Sequence, residues 1–227
     1  MKKKLLVLSV AILTLVGVSN AQLLKFGVKG GVSSTKVKFD ETTLSNVTTT
    51  SGAKDFLVEQ GKSKLGIHFG LFARVKVAAL YVQPEVLFTQ TKGEVLLTDV
   101  TGSTIVDLAK EQKFNKIDVP VMIGWKLGPA RIGLGPVASF VISEKDGLKD
   151  ELATYLDNTT TKIENEFNKA TFGYQVGVGL DILKIATIDL KYEGNLSKLG
   201  SGVTIGGVER KFDQRNPQVI LSVGIFF

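Results

Sequence analysis

The feature that most constrains this 227-residue chain is a period-two alternation of apolar and polar residues that recurs eight times. Residues 64–77 show it most fully. Leu65, Ile67, Phe69, Leu71, Ala73, Val75 and Val77 fall on one face, and Gly66, His68, Gly70, Phe72, Arg74 and Lys76 on the other. Successive strand side chains point to opposite sides, so the segment reads as a strand with one continuous apolar face. A helix would scatter the same residues around its axis. The pattern returns over residues 24–34, 80–89, 116–126, 131–142, 172–182, 186–193 and 218–227. Pro84, Pro120 and Pro136 interrupt three of these segments; because proline donates nothing to a ladder, bulges or bends are expected there.

The links between strands alternate short and long. Ala78-Ala79, Leu127-Gly128-Pro129-Ala130 and Leu183-Lys184 are tight, whereas residues 35–63, 90–112, 143–170 and 195–216 read as long loops. All turns then lie at one end and all loops at the other. Such a layout predicts an all-β fold, an eight-stranded antiparallel up-and-down transmembrane β-barrel, with turns in the periplasm and loops outside.

Alternation alone also permits a soluble barrel with its apolar face around a ligand. The glycines favour the membrane arrangement. Gly27, Gly31, Gly66, Gly70, Gly124, Gly133, Gly135, Gly173, Gly177, Gly179 and Gly224 share the polar face. Glycine weakens a strand, and the narrow interior of an eight-stranded barrel, just filled by side chains, supplies a steric reason for it. The apolar face carries Phe26, Trp125 and Phe227 towards the turn end, and Phe69, Phe88, Phe140, Tyr174 and Tyr192 towards the loop end. Two aromatic belts around an aliphatic band suit the two interfaces of a bilayer.

The N-terminus fits export. Lys2, Lys3 and Lys4 precede an uncharged apolar run, Leu5–Val18, and Ser19-Asn20-Ala21 has small residues at both ends. This reads as a signal peptide over residues 1–21, leaving residues 22–227 as the barrel domain. The run is shorter than the roughly 20 residues a spanning helix needs. The formal charge of +6 falls to +3 without those three lysines, too mild to suggest a nucleic-acid partner. With no cysteine and one histidine, the chain lacks the means for a disulfide framework, a thiolate metal site or a multi-histidine site. No cofactor is expected.

Several stretches resemble the small outer-membrane β-barrel proteins of Bacteroidetes, the porin-family or PorT-like proteins. They are Phe26-Gly27-Val28-Lys29-Gly30-Gly31, Tyr81-Val82-Gln83-Pro84-Glu85, Ile117-Asp118-Val119-Pro120-Val121 and Gly133-Leu134-Gly135-Pro136. The final strand ends on Phe227, as barrel precursors of bacterial outer membranes do. The resemblance implies an outer-membrane location and no catalytic residues.

The face turned inward carries both signs of charge. Lys29, Arg74, Lys116, Arg131 and Lys191 stand against Glu85, Asp118, Asp181, Asp189 and Glu193 as a candidate lumen charge network. Buried charges are costly unless paired, so mutual pairing is the leading expectation, and a narrow porin-like path for ions or small solutes is the alternative. A lipid-modifying enzyme would need His68 as base with a serine such as Ser33, Ser34 or Ser63 and an orienting acid; the residues mark no such set. The glycine-rich first strand lacks the GK[ST] and following helix of a phosphate loop. Within residues 143–170, Leu148, Leu152, Tyr155 and Leu156 have helix-like spacing. The expected partners are outer-membrane lipid and, through the long loops, an extracellular or envelope protein. The expected role is structural or loop-mediated.

Overall fold

The computed structural model describes residues 24–36, 38–39, 42–49, 52–99, 106–146, 163–167, 169–183, 185–205 and 208–227. Eight strands form the barrel: β1 (Leu24–Thr35), β2 (Gly52–Val77), β3 (Leu80–Asp99), β4 (Val106–Leu127), β5 (Ala130–Asp146), β6 (Ala170–Ile182), β7 (Ala186–Asn195) and β8 (Gln218–Phe226). Each pairs antiparallel with its neighbour in sequence, and β8 pairs with β1, so the sheet closes. The Phe227 N–H donates to the Phe26 carbonyl at 3.0 Å, tying the C-terminal residue into the seam.

Register sets the barrel's dimensions. Paired residues run Leu24, Val75, Val82, Ile123, Leu134, Val176, Tyr192, Val219 and return to β1 at Ser34, ten residues along from Leu24. A stagger of ten over eight strands, at about 3.3 Å per residue and about 4.8 Å between strands, tilts the strands by roughly 40°. That geometry leaves an interior only wide enough for side chains.

The chain is turned inside out relative to a soluble domain. Among the described residues, 24 of the buried ones are polar or charged and eight are apolar. Leu65, Leu71 and Leu134 are each at least 60% exposed, while Gln83, Glu85 and Gln175 are no more than 2% exposed. A surface this apolar needs lipid against it. No helix of the described residues is long and apolar enough to cross a membrane; the crossing is made by strands.

Two features depart from the sequence reading. First, much of what reads as long loop is strand. β2 runs 26 residues, β3 20 and β4 22, against the 9–11 that a bilayer needs. Their outer halves stand beyond the membrane, and residues 42–49 add one more strand to β2. A second sheet there joins residues 38–39, 208–215, 200–205 and 163–167. Second, the prolines make no bulge. Pairing lapses beside Pro84 and resumes in the same register, Phe72 with Glu85 and then Val75 with Val82. Between β4 and β5 it lapses after Pro120–Val137 and resumes at Ile123–Leu134, also unshifted. The register slips elsewhere, between Gln60 and Ile67 and at Asn115/Lys116. The helix-like spacing at residues 148–156 lies outside the described residues.

Candidate functional site: the charged barrel interior

Alternation delivers the polar side chains to the lumen, and the stagger decides which of them meet. From the turn end upward, the Asp181 carboxylate accepts from Arg74 Nη1 at 2.8 and 3.0 Å, from Arg131 Nε at 3.0 Å and from Lys126. Arg131 Nη2 also donates to Asp189 Oδ1 at 2.7 Å and to the Thr187 hydroxyl. Asp189 Oδ2 faces Lys29 Nζ at 2.8 Å. Lys29 and Lys191 both donate to Glu85 Oε1 at 2.7 Å, and Gln83 Nε2 donates to the same oxygen at 2.6 Å. Lys191 reaches Gln175 Oε1 at 3.3 Å, and Gln175 Nε2 donates to Glu193 at 2.7 Å. Lys116 then lies 3.6 Å from Glu193 and 3.5 Å from Asp118.

One connected chain of polar contacts thus climbs the barrel from Lys126 to Asp118. It contains all ten residues of the sequence-derived set. The structure adds Lys126, which sits at the inward end of β4, and the amides of Gln83, Gln175 and Gln218, which bridge charges. Gln218 Nε2 donates to Glu193 Oε1 at 2.8 Å. Near the turn end, the rings of Phe72, Tyr81 and Phe226 lie 5.8, 5.8 and 4.8 Å from the Arg74 guanidinium. A ring face over a cation replaces part of its lost hydration.

Interior glycines set these meetings. Arg131, Gly179 and Asp189 share one row across β5, β6 and β7. With no side chain on the middle strand, the arginine passes over it to the aspartate. Phe72, Gly27 and Phe226 repeat the arrangement, with the two rings edge to face at 5.1 Å, and a Cβ on Gly27 would lie 2.6 Å from the Phe72 ring. So do His68, Gly31 and Ser222: His68 Nε2 and Ser222 Oγ are 2.8 Å apart across the glycine. The barrel therefore pairs His68 with Ser222, which is remote in sequence, and no described carboxylate accepts a hydrogen bond from its ring.

Little space remains. One cavity lies among Ser33, His68, Glu85, Asp118 and Ser222, another among Tyr81, Gln83, Arg131 and Asp189. Each leaves about 10 Å³ for the centre of a water molecule, room for about one water. The Lys191 side chain borders both. Among the described residues no cluster of three or more metal-ligating side chains occurs.

A closed antiparallel barrel, apolar outside and ionic inside, is the geometry of an outer-membrane protein, and residues 20–200 match the family model described as outer membrane protein beta-barrel domain. The chain belongs to that family. It lies in the bacterial outer membrane. Among solved structures it is similar to OprG from Pseudomonas aeruginosa (11% identity, 89% of this chain and 95% of that one, TM-score 0.49). It is also similar to Neisserial surface protein A (14% identity, 89% and 97%, TM-score 0.44) and to Ail, the attachment invasion locus protein of Yersinia pestis (14% identity, 91% and 100%, TM-score 0.42). Among curated proteins, none matches. In this outer-membrane barrel the lumen residues divide by role. Glu85, Asp181 and Asp189 each gather two or more cations, and their loss would strand several charges at once.

Proposed function

We propose that this outer-membrane barrel is a sealed structural protein whose functional contacts are made by its extracellular part. The observation that carries the reading is the continuous ionic plug, in which two cavities among the described residues each leave about 10 Å³ for water. A hydrated ion or solute would have to part Glu85 from two lysines to pass. The strands that extend beyond the membrane supply a surface for an extracellular or envelope protein. The motif resemblance supports a porin-family, PorT-like relationship, and the N-terminal pattern supports a signal peptide cut after Ala21, which N-terminal sequencing of the exported protein tests by its start at Gln22. A lipid-modifying role is disfavoured because no carboxylate among the described residues accepts a hydrogen bond from His68 to orient it towards Ser222.

Purified protein in planar bilayers is expected to show no steady conductance. A steady current that disappears when a lumen residue is replaced by a bulky one would overturn the sealed reading in favour of narrow porin-like passage.

A further inference from the structure

Above the lipid-facing wall, β2–β5 carry an ordered set of cross-strand rows. The first is aromatic and apolar: Phe69 opposite Phe88, Phe88 opposite Ile117, Ile117 opposite Phe140. Two residues further out, Gln90, Asn115 and Ser143 form a ladder, with Gln90 Nε2 donating to Asn115 Oδ1 at 3.0 Å and Asn115 Nδ2 to Ser143 Oγ at 2.8 Å. Two residues beyond that, Lys92 stands directly opposite Lys113, and Lys113 opposite the register position of Lys145. Like charges directly opposite one another destabilise a sheet, so this row calls for a counter-charge.

The chain's own acids supply part of it. Glu94 and Glu111 face each other one row further from the membrane. Lys64 Nζ meets Glu94 at 2.6 Å, but Lys92 Nζ reaches Glu111 only at 3.9 Å and both remain over a third exposed. The cations lie on the membrane side of the acids. Four residues of tilted strand separate Phe88 from Lys92, a rise of about 10 Å above the aromatic belt. Aromatic belts mark the headgroup boundary, so the lysine row stands at the level of lipid phosphates.

We propose that Lys92 and Lys113 form a binding row for the phosphate groups of outer-leaflet lipid. Charge complementarity and continuity with the lipid-facing wall identify the occupant as lipid. The row would hold an annular lipid on the β2–β5 side and fix the barrel's height in the membrane.

The test titrates detergent-solubilised full-length barrel with diphosphorylated lipid A, with its dephosphorylated form and with inorganic phosphate, reading bound lipid by native mass spectrometry. Preference for the phosphorylated lipid is expected, and the Lys92→Gln/Lys113→Gln variant should bind it on the order of 30-fold more weakly. Glu111→Gln, which removes an anion from beside the row, should bind several-fold more tightly, so the proposal stays testable if the double variant folds poorly. Equal binding of the two lipid forms, or an unchanged affinity in these variants, overturns it. Displacement of the lipid by millimolar inorganic phosphate overturns the lipid assignment by showing a site for the free anion.

Discussion

Replacing Glu85 with glutamine tests the ionic plug at its centre. The Oε1 atom of Glu85 accepts from Lys29, Lys191 and Gln83 at 2.7, 2.7 and 2.6 Å, and the residue is 1% exposed. Without that charge Lys29 keeps Asp189 at 2.8 Å, but among the described residues Lys191 keeps only the Gln175 amide oxygen, at 3.3 Å, as a hydrogen-bond partner. Removing one member of a buried ion pair typically costs about 3–5 kcal/mol, because a charge is left buried without its counter-charge. Replacing both members is often close to neutral. Glu85→Gln should therefore lower stability by roughly 3–5 kcal/mol, and Glu85→Gln/Lys191→Met should regain most of it, a coupling of about 2–4 kcal/mol. Equilibrium denaturant unfolding in liposomes measures this, with the single tryptophan, Trp125, as the fluorescent reporter. A loss under about 1 kcal/mol for the single variant, or simple additivity in the double, would refute the reasoning.

Three further outcomes follow from local geometry. Gly124→Ala should cost about 1–3 kcal/mol in the same unfolding assay, because the new Cβ would lie 2.6 Å from the Gly133 backbone Cα, which cannot move aside as a side chain can. Ala78→Gly should stabilise by about 0.5–1 kcal/mol, since Ala78 holds φ 55° in the β2–β3 turn, a region that costs an L-residue more than it costs glycine. Outside the membrane, the Lys64 ammonium and the Lys62 backbone N–H, at 2.6 and 3.0 Å, hold the Glu94 carboxyl below its ordinary value of 4.5. A depressed carboxyl pKa stabilises the fold fully above the ordinary value, and that contribution is lost as pH falls through the lower folded one. Hydrogen exchange at the Lys62 amide, relative to its intrinsic rate, should accelerate as the pH falls through that lowered value in the natural chain and be pH-insensitive in Glu94→Gln.

The membrane-spanning part was legible because one face of each strand had to be greasy. Lys64 to Val77 needed nothing but parity to assign Arg74 inward and Leu71 outward. Outside the bilayer no face of a strand has to be greasy, so residues 52–63 and 90–99 carry no sustained apolar alternation in the sequence and read as loop although they are strand. The prolines misled for a different reason. Proline costs a ladder its hydrogen bond but need not add a residue, and the register survives on both sides of Pro84 and Pro120. The inward set of charges could be named from parity, but who meets whom could not. Arg131 finds Asp189, and His68 finds Ser222, only through the ten-residue stagger and the glycine between them. Lys126 has the inward parity of β4, but parity does not join it to the network, since its contact with Asp181 crosses from β4 to β6, beyond the intervening β5.

The barrel, its ionic plug and the lysine row all require the apolar face to meet lipid. Because the chain has no cysteine, single cysteines at Leu71, Leu134, Val176, Gln83 and Gln175 can each carry a spin label in protein reconstituted into vesicles. Strong relaxation by oxygen, and little by a water-soluble nickel complex, is expected at the first three positions. The two glutamine positions should be shielded from both. Water-soluble reagent reaching Leu71 and Leu134 freely, with oxygen effects no greater there than at Gln83, would contradict that orientation.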